Sequence, residues 1–318
     1  MKKILGGLLV ILLLFVVAVY IFIPASIRIS SSASVGCVNK SILTFLNDQQ
    51  AWNHWWPGHT AGQSSTDSTY SYDNYRFRLT EPYNDGAAIE LSHGNIILPS
   101  TILLLPAGKD SVDITWQTTF TGGFNPFSRI SAYLESKSAK QSMDTVLQNL
   151  VDFVGQTKNI YGFTIKRTTF RDTVLLATKF SSTVYPSTNL IYQKIDSLRK
   201  YIAGQNASET NPPMLSINSI DSAWHNVMIA IPISKRITAG ENMFISMMVP
   251  MEGRFLETQV TGGPLTLQKA HEAVSTFMSD RMLTPPAIPF EILVTDRRNE
   301  PDTAKWMTKI FYPTMWNN

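Results

Sequence analysis

One carboxylate stands out among the chemistry-bearing residues of this 318-residue chain. Glu291 interrupts the apolar strand pattern Ile288 to Val294. A carboxylate in an apolar groove can bind a cation or, with its pKa raised by burial, act as a general acid or base. The competing reading is a glutamate pointing to water from a half-exposed strand. Trp224, Trp306, Tyr185 and Phe255 are aromatic residues suited to walling such a groove, and equally suited to packing a core. A second aromatic concentration, Trp52-Asn53-His54-Trp55-Trp56-Pro57-Gly58, puts Trp52 and Trp55 on one helical face, where they either fill a core or line a ligand cavity.

Strongly marked catalytic chemistry is absent from the sequence. There is no GxSxG elbow, Walker loop, GxGxxG after a strand, HExxH or EF-hand loop, and the five histidines suggest no triad. His54 and His59 do not have a zinc-ligand spacing. Cys37 is the only cysteine, which excludes an intramolecular disulfide and a CxxC pair and fits a half-buried structural thiol. No metal or cofactor is expected.

Charge narrows the partners. The net charge is +3, two of those charges being Lys2 and Lys3, and the remaining basic residues form only short clusters such as Lys235-Arg236 and Arg297-Arg298. Nucleic-acid binding needs Lys and Arg gathered on one face, so no nucleic-acid partner is expected, and the clusters read as solvated turns. A hydrophobic fraction of 44% with 16% charged residues fits globular folding.

The elements that must position these residues begin with a run from Ile4 to Ile23 that carries no charge and is interrupted only by Gly6 and Gly7. A helix of about 20 residues extends about 30 Å, the thickness of a hydrocarbon core. The run exceeds the apolar region of a secretory signal and is followed by Pro24-Ala25-Ser26-Ile27-Arg28 instead of an A-x-A-like cleavage site. Residues 1–24 are therefore expected to be an uncleaved transmembrane anchor contacting the membrane through residues 4–23. Lys2 and Lys3 before the span predict a cytoplasmic amino terminus, with the remaining domains outside the cytoplasm of a bacterial inner membrane.

Residues 25–157 read as a first domain. Ile27 to Ser31 alternates as a strand, Ser41 to Leu46 has helical spacing with Asn39 as its cap, and the tryptophan cluster follows. Strands are expected at Tyr70–Leu79, Ala87–Glu90, Asn95–Leu105 and Val112–Phe120, separated by Asn84-Asp85-Gly86, His93-Gly94 and Gly108-Lys109-Asp110. A helical stripe from Ile130 to Val154 closes the domain. This order, with the W-x-x-W-x-P stretch at Trp52 to Pro57, resembles the polyketide-cyclase and START-like superfamily, the helix-grip fold. The resemblance implies a curved sheet around the long helix, an apolar cavity between them, and a lipid or polyketide-like ligand.

Residues 158–318 contain a repeat, at about 172–235 and 244–318. Each half reads strand, helix, strand, strand: Leu176–Lys179, Leu190–Ile202 and Ile229–Ile233 in the first, and Leu256–Gln259, Leu265–Met278 and Lys309–Pro313 in the second. Neither half alone hides its sheet face, so the two should pair into one pseudo-symmetric domain with a groove between them. The repeat, Met251-Glu252-Gly253-Arg254-Phe255 leading to Thr261-Gly262-Gly263, and Pro289 to Asp296 resemble the gyrase-inhibitor-like, AraC-type effector-binding domain. That resemblance implies small-molecule recognition and a glutamate facing the central pocket at the position of Glu291. No helix-turn-helix accompanies the domain, and an anchor stands where a DNA reader would be.

The expected fold class is α+β: a transmembrane helix, a helix-grip antiparallel sheet, then a tandem βαββ domain. The expected function is membrane-anchored binding of a small hydrophobic or amphipathic molecule, a cationic one included, as sensor, carrier or sequestering protein. The alternatives are a hydrolase of small amphipathic compounds using Glu291, and an envelope protein-interaction module with vestigial pockets.

Overall fold

The computed structural model describes residues 2–58, 69–108, 110–221, 224–248 and 252–315. His59, Lys109 and Met251, which belong to the patterns above, lie outside them. The chain divides into two compact units, Met1–Gln156 and Thr157–Asn318, and the protein is α+β with two antiparallel sheets.

The first unit opens with helix α1, Lys2–Phe22, whose apolar side chains stand largely bare: Ile4, Leu8, Ile11, Leu14, Ile21 and Phe22 are all exposed. Among the described residues no helix is long and apolar enough to cross a membrane. The side chains of Lys2 and Leu5 lie outside that set, and the unbroken remainder, residues 6–22, extends about 25 Å. The end of α1 is tied down: Arg129 lies over the Tyr20 ring, 4.5 Å from its centroid, and donates from Nη1 to the Ile23 carbonyl at 3.1 Å, while the Tyr20 hydroxyl donates to the Phe124 carbonyl.

Next come β1 (Ser26–Val35), α2 (Asn39–Leu46), a 3-10 turn (Gln49–His54), and strands β2 (Tyr70–Tyr72), β3 (Tyr75–Tyr83), β4 (Gly86–His93), β5 (Ile96–Pro106) and β6 (Val112–Thr121). Helix α3 (Pro126–Val154) closes the unit. The sheet order is β1-β6-β5-β4-β3-β2, a meander from β2 to β6 extended by β1, which pairs antiparallel with β6 and forms the edge. Period-two alternation turns Phe77, Ile89, Ile102, Ile114 and Trp116 inward, and α3 covers β1 and β6 with Met143, Val146 and Leu150. Ala132, Ser136 and Ala139, all buried on α3, let the helix backbone approach closely.

Two local readings are corrected. The cap of α2 is Val38, with Asn39 already inside the helix, so no side chain caps that end. Tyr70–Leu79 is not one strand but a hairpin, because Asp73 takes a left-handed φ of 53° that an aspartate tolerates in a tight turn.

The second unit begins with α4 (Thr157–Tyr161) and β7 (Ile165–Thr168), then β8 (Val174–Ser182), α5 (Thr188–Gly204), β9 (Met214–Asp221) and β10 (Trp224–Pro232). After β11 (Phe244–Met247) the pattern returns as β12 (Phe255–Thr261), α6 (Pro264–Asp280), β13 (Phe290–Leu293) and β14 (Met307–Pro313). The eight-stranded order is β11-β8-β10-β9-β13-β14-β12-β7, so each βαββ half contributes three adjacent strands and the halves meet where β9 pairs with β13. Helix α5 packs Ile191, Ile195 and Leu198 against Leu176, Leu215 and Ile229, and α6 packs Ala270, Val274 and Phe277 against the second half. The other sheet face carries an aromatic cluster of Phe170, Phe255, Phe290 and Phe311, with Phe290 and Phe311 stacked at 5.2 Å.

In the first unit, Trp52 is fully buried, stacks on Trp56 with centroids 5.1 Å apart, and donates from Nε1 to the Leu46 carbonyl at 2.9 Å. Trp52→Ala should cost about 3–5 kcal/mol. Urea unfolding followed by circular dichroism checks this, and a loss under about 1 kcal/mol would remove Trp52 from the core.

Candidate ligand-binding cleft

In the second unit a cleft of about 720 Å³ opens on the helix-bearing face of the sheet, where the two halves meet. The β9–β13 register sets its floor by placing Glu291 directly opposite Leu215, whose side chain packs under α5. Its apolar walls include Ile191, Ile217, Leu267 and Trp306. The beginnings of α5 and α6 reach its edge through Ser187-Thr188 and Gly263-Pro264. Ser187 caps α5 by accepting from the Leu190 amide, whereas Gly263 leaves α6 without a side-chain cap.

Four polar groups converge on the floor. The His271 ring, from α6, bridges Glu291 Oε1 at 3.1 Å through Nε2 and the Tyr312 hydroxyl at 2.9 Å through Nδ1. Arg297 Nη2 stands 3.7 Å from Glu291 Oε2, and the same nitrogen donates to Thr308 Oγ1 at 3.1 Å. The guanidinium lies over the Trp306 ring, 5.0 Å from its centroid. Glu291 and Arg297 are largely buried, with side chains 15% and 12% exposed, so their mutual attraction is poorly screened by water.

When His271 is neutral the donors along this chain are fixed. Glu291 accepts from Nε2–H, and Nδ1 then accepts from the Tyr312 hydroxyl. Burial, with the Glu291 charge adding to it, pushes the Tyr312 phenol up to about 12. Tyr185, also lining the cleft, is an exposed residue, and partial desolvation followed by the Glu291 charge raises its phenol, with Arg297 opposing. Both phenols therefore remain hydroxyl groups at neutral pH.

Of the residues singled out in the sequence, Glu291, Trp306 and Tyr185 come together here. Trp224 is half-exposed at the start of β10 and is not part of the cleft lining, and Phe255 belongs to the aromatic cluster on the opposite sheet face. Trp52 and Trp55 are buried in the other unit, with their indole nitrogens donating to the Leu46 and Phe45 carbonyls. The gap bordered by Trp55, Trp56, Trp116 and Leu147, between sheet and α3, has no room for a water molecule. Among the described residues, tryptophan side chains occupy this part of the space between the sheet and α3.

His271, Arg297 and Tyr312 escaped the sequence reading. His271 lies next to Ala270 within the apolar stripe Leu267, Ala270 and Val274, one turn beyond Leu267, and that spacing is the available signal. Arg297 was grouped with Arg298 as a solvated turn. Only Arg298 fits that description: it pairs with Asp196 at 2.6 Å and Asp296 at 3.0 Å on the surface, while Arg297 turns inward.

A second cleft of about 640 Å³ borders Met214, Met228, Ala230 and Phe290, residues of the sheet face without helices. It is mostly apolar, and Lys179 is the one charged residue among those lining it. The polar groups converge in the first cleft, which is the better candidate for specific recognition. Among the described residues no group of three or more His, Cys, Asp and Glu side chains is placed to hold a metal ion.

No protein-family model matches the sequence, and no curated protein matches it. Similar solved structures include the EcmrR C-terminal domain, with 12% identity over 48% of this chain and 98% of that one and a TM-score of 0.42. A hydrolase from Listeria innocua matches at 13% identity over 48% and 91%, with a TM-score of 0.34. The Zhui aromatase/cyclase from Streptomyces sp. R1128 matches at 9% identity over 41% and 93%, with a TM-score of 0.29. Likeness at this level says nothing of activity.

The raised Tyr312 value has a consequence for stability. The folded chain keeps a phenolic proton that the unfolded chain releases near pH 10.0, so this contribution is full below that pH and is lost as pH rises toward about 12. Tyr312→Phe should therefore lose less stability than the natural chain between pH 10 and about 12 in urea titrations, and equal losses would contradict the placement.

Proposed function

We propose that this protein is a membrane-tethered receptor or carrier for a small amphipathic molecule held in the cleft of its second unit. The observation that carries the reading is the combination of apolar walls with a convergent polar floor of Glu291, His271, Tyr312 and Arg297. Such a site combines area for affinity with a few fixed groups for orientation. The polar groups are held by one another, so a ligand meets a largely preorganised floor and little ordering cost.

Tethering rests on α1. Its full length of 21 residues corresponds to about 31 Å, and its exposed apolar side chains would be unfavourable in water. Insertion in a bilayer, with Lys2 and Lys3 on the cytoplasmic side and both units outside, is the arrangement this favours.

A second reading is hydrolysis of a small amphipathic compound, favoured by the chain from Tyr312 through His271 to Glu291. Glu291 would take a proton from water, and His271 and Tyr312 would hold the carboxylate in place. Ser216, which borders the cleft, spends its hydroxyl on the Pro289 carbonyl at 2.8 Å, so covalent catalysis by it is not part of this reading.

Native mass spectrometry of the full chain released from its membrane should show a retained small molecule, and Glu291→Gln should still retain an uncharged one. A protein that stays empty after exposure to a membrane lipid extract would contradict the carrier reading. Turnover of small esters by the natural chain, abolished in Glu291→Gln, would favour hydrolysis instead. Carbonate washing of membranes tests the anchor: the protein should stay in the pellet, and its release would contradict tethering through α1.

A further inference from the structure

We infer that the molecule this cleft takes has an apolar body and a small anionic end, a carboxylate being the simplest, and that Arg297 receives that end. The inference rests on the proposal that the cleft holds a ligand. It departs from the expectation that a lone carboxylate on this strand recruits a cation.

Glu291 is not alone. Of the described residues lining the cleft, only Glu291, Arg297 and His271 carry or can carry a formal charge near neutral pH. Glu291 and Arg297 cancel, so the floor is neutral with His271 neutral and positive with it protonated. Both carboxylate oxygens already have a cationic or N–H neighbour, at 3.1 Å from His271 and 3.7 Å from Arg297. An incoming cation would have to compete with Arg297 for a carboxylate that is already compensated, with little solvent to offset the loss.

Arg297 has capacity to spare. At 3.7 Å its approach to Glu291 is longer than a hydrogen bond, and its one side-chain hydrogen bond goes from Nη2 to Thr308. Its Nε and Nη1 make no hydrogen bond among the described residues. A guanidinium with donors left over, mostly buried and resting on an indole face, fits a carboxylate through its planar fork. The amide ends of α5 and α6 at the cleft edge add positive potential, which offsets the repulsion an anion meets from Glu291. The apolar walls Ile191, Ile217 and Leu267 then cover the body of the molecule.

The test is calorimetric titration of the full chain in nanodiscs, with empty nanodiscs as blank, using octanoate, octanol and octyltrimethylammonium. Octanoate should bind at least about tenfold more tightly than the cation, the scale of a charge-assisted hydrogen bond. Arg297→Gln should erase that preference, whereas Arg297→Lys, which keeps the charge that offsets Glu291, should still bind octanoate ahead of the cation. Equal or tighter binding of the cation overturns the anionic assignment and leaves the cleft's proposed role standing. Failure of all three probes, octanol included, overturns both.

Discussion

The pairing of β9 with β13 is the constraint on which the rest of the second unit depends. It is short: Leu215 and Met214 stand opposite Glu291 and Ile292, the Leu293 amide donates to the Pro213 carbonyl at 2.9 Å, and Ser216 Oγ donates to the Pro289 carbonyl. Through it two three-stranded halves, flanked by β11 and β7 at the edges, become one eight-stranded sheet, and each helix gains a neighbour across a gap. Period two then fixes which side each residue faces. Leu215 and Glu291 lie on the helix-bearing side, and Met214 and Phe290 belong to the aromatic core on the other. A slip of one residue would bury Glu291 among phenylalanines.

An acid in this place needs compensation, and the surrounding elements supply it. His271 comes from α6, Tyr312 from β14, and Arg297 from the segment after β13, so the floor forms only when the second half is folded around the seam. The arrangement also explains why Glu291 should not be treated as a bare carboxylate. Removing one member of a buried charged set leaves the others unpaired, so the four groups act as a unit and single substitutions will not add.

The repeat, both long helices of the second unit and the central position of Glu291 were legible because period and self-similarity reflect burial directly. The polar floor was not. His271 and Tyr312 are 41 residues apart, and contact between them exists only once α6 lies on the sheet. Arg297 and Arg298 are chemically identical neighbours, and the backbone sends one inward and the other to Asp196. In the first unit the tryptophan spacing points both to a core and to a ligand cavity, because spacing does not distinguish a cavity wall from its filling. Trp52, Trp55 and Trp56 each satisfy their indole N–H on a backbone carbonyl, which is how a buried tryptophan avoids a desolvation penalty.

The central claim is that the cleft of the second unit, rather than the tryptophan-filled first unit, is where a ligand sits. Indole N–H resonances report both places at once, because Trp306 lines the cleft and Trp52, Trp55, Trp56 and Trp116 are in the first unit's core. The measurement is an NMR titration of the intact chain in nanodiscs with lipid extract from the producing cells, following these assigned signals. The account predicts that Trp306 shifts and saturates while the four core tryptophans stay in place. Shifts confined to the core tryptophans, or none at Trp306, would contradict it.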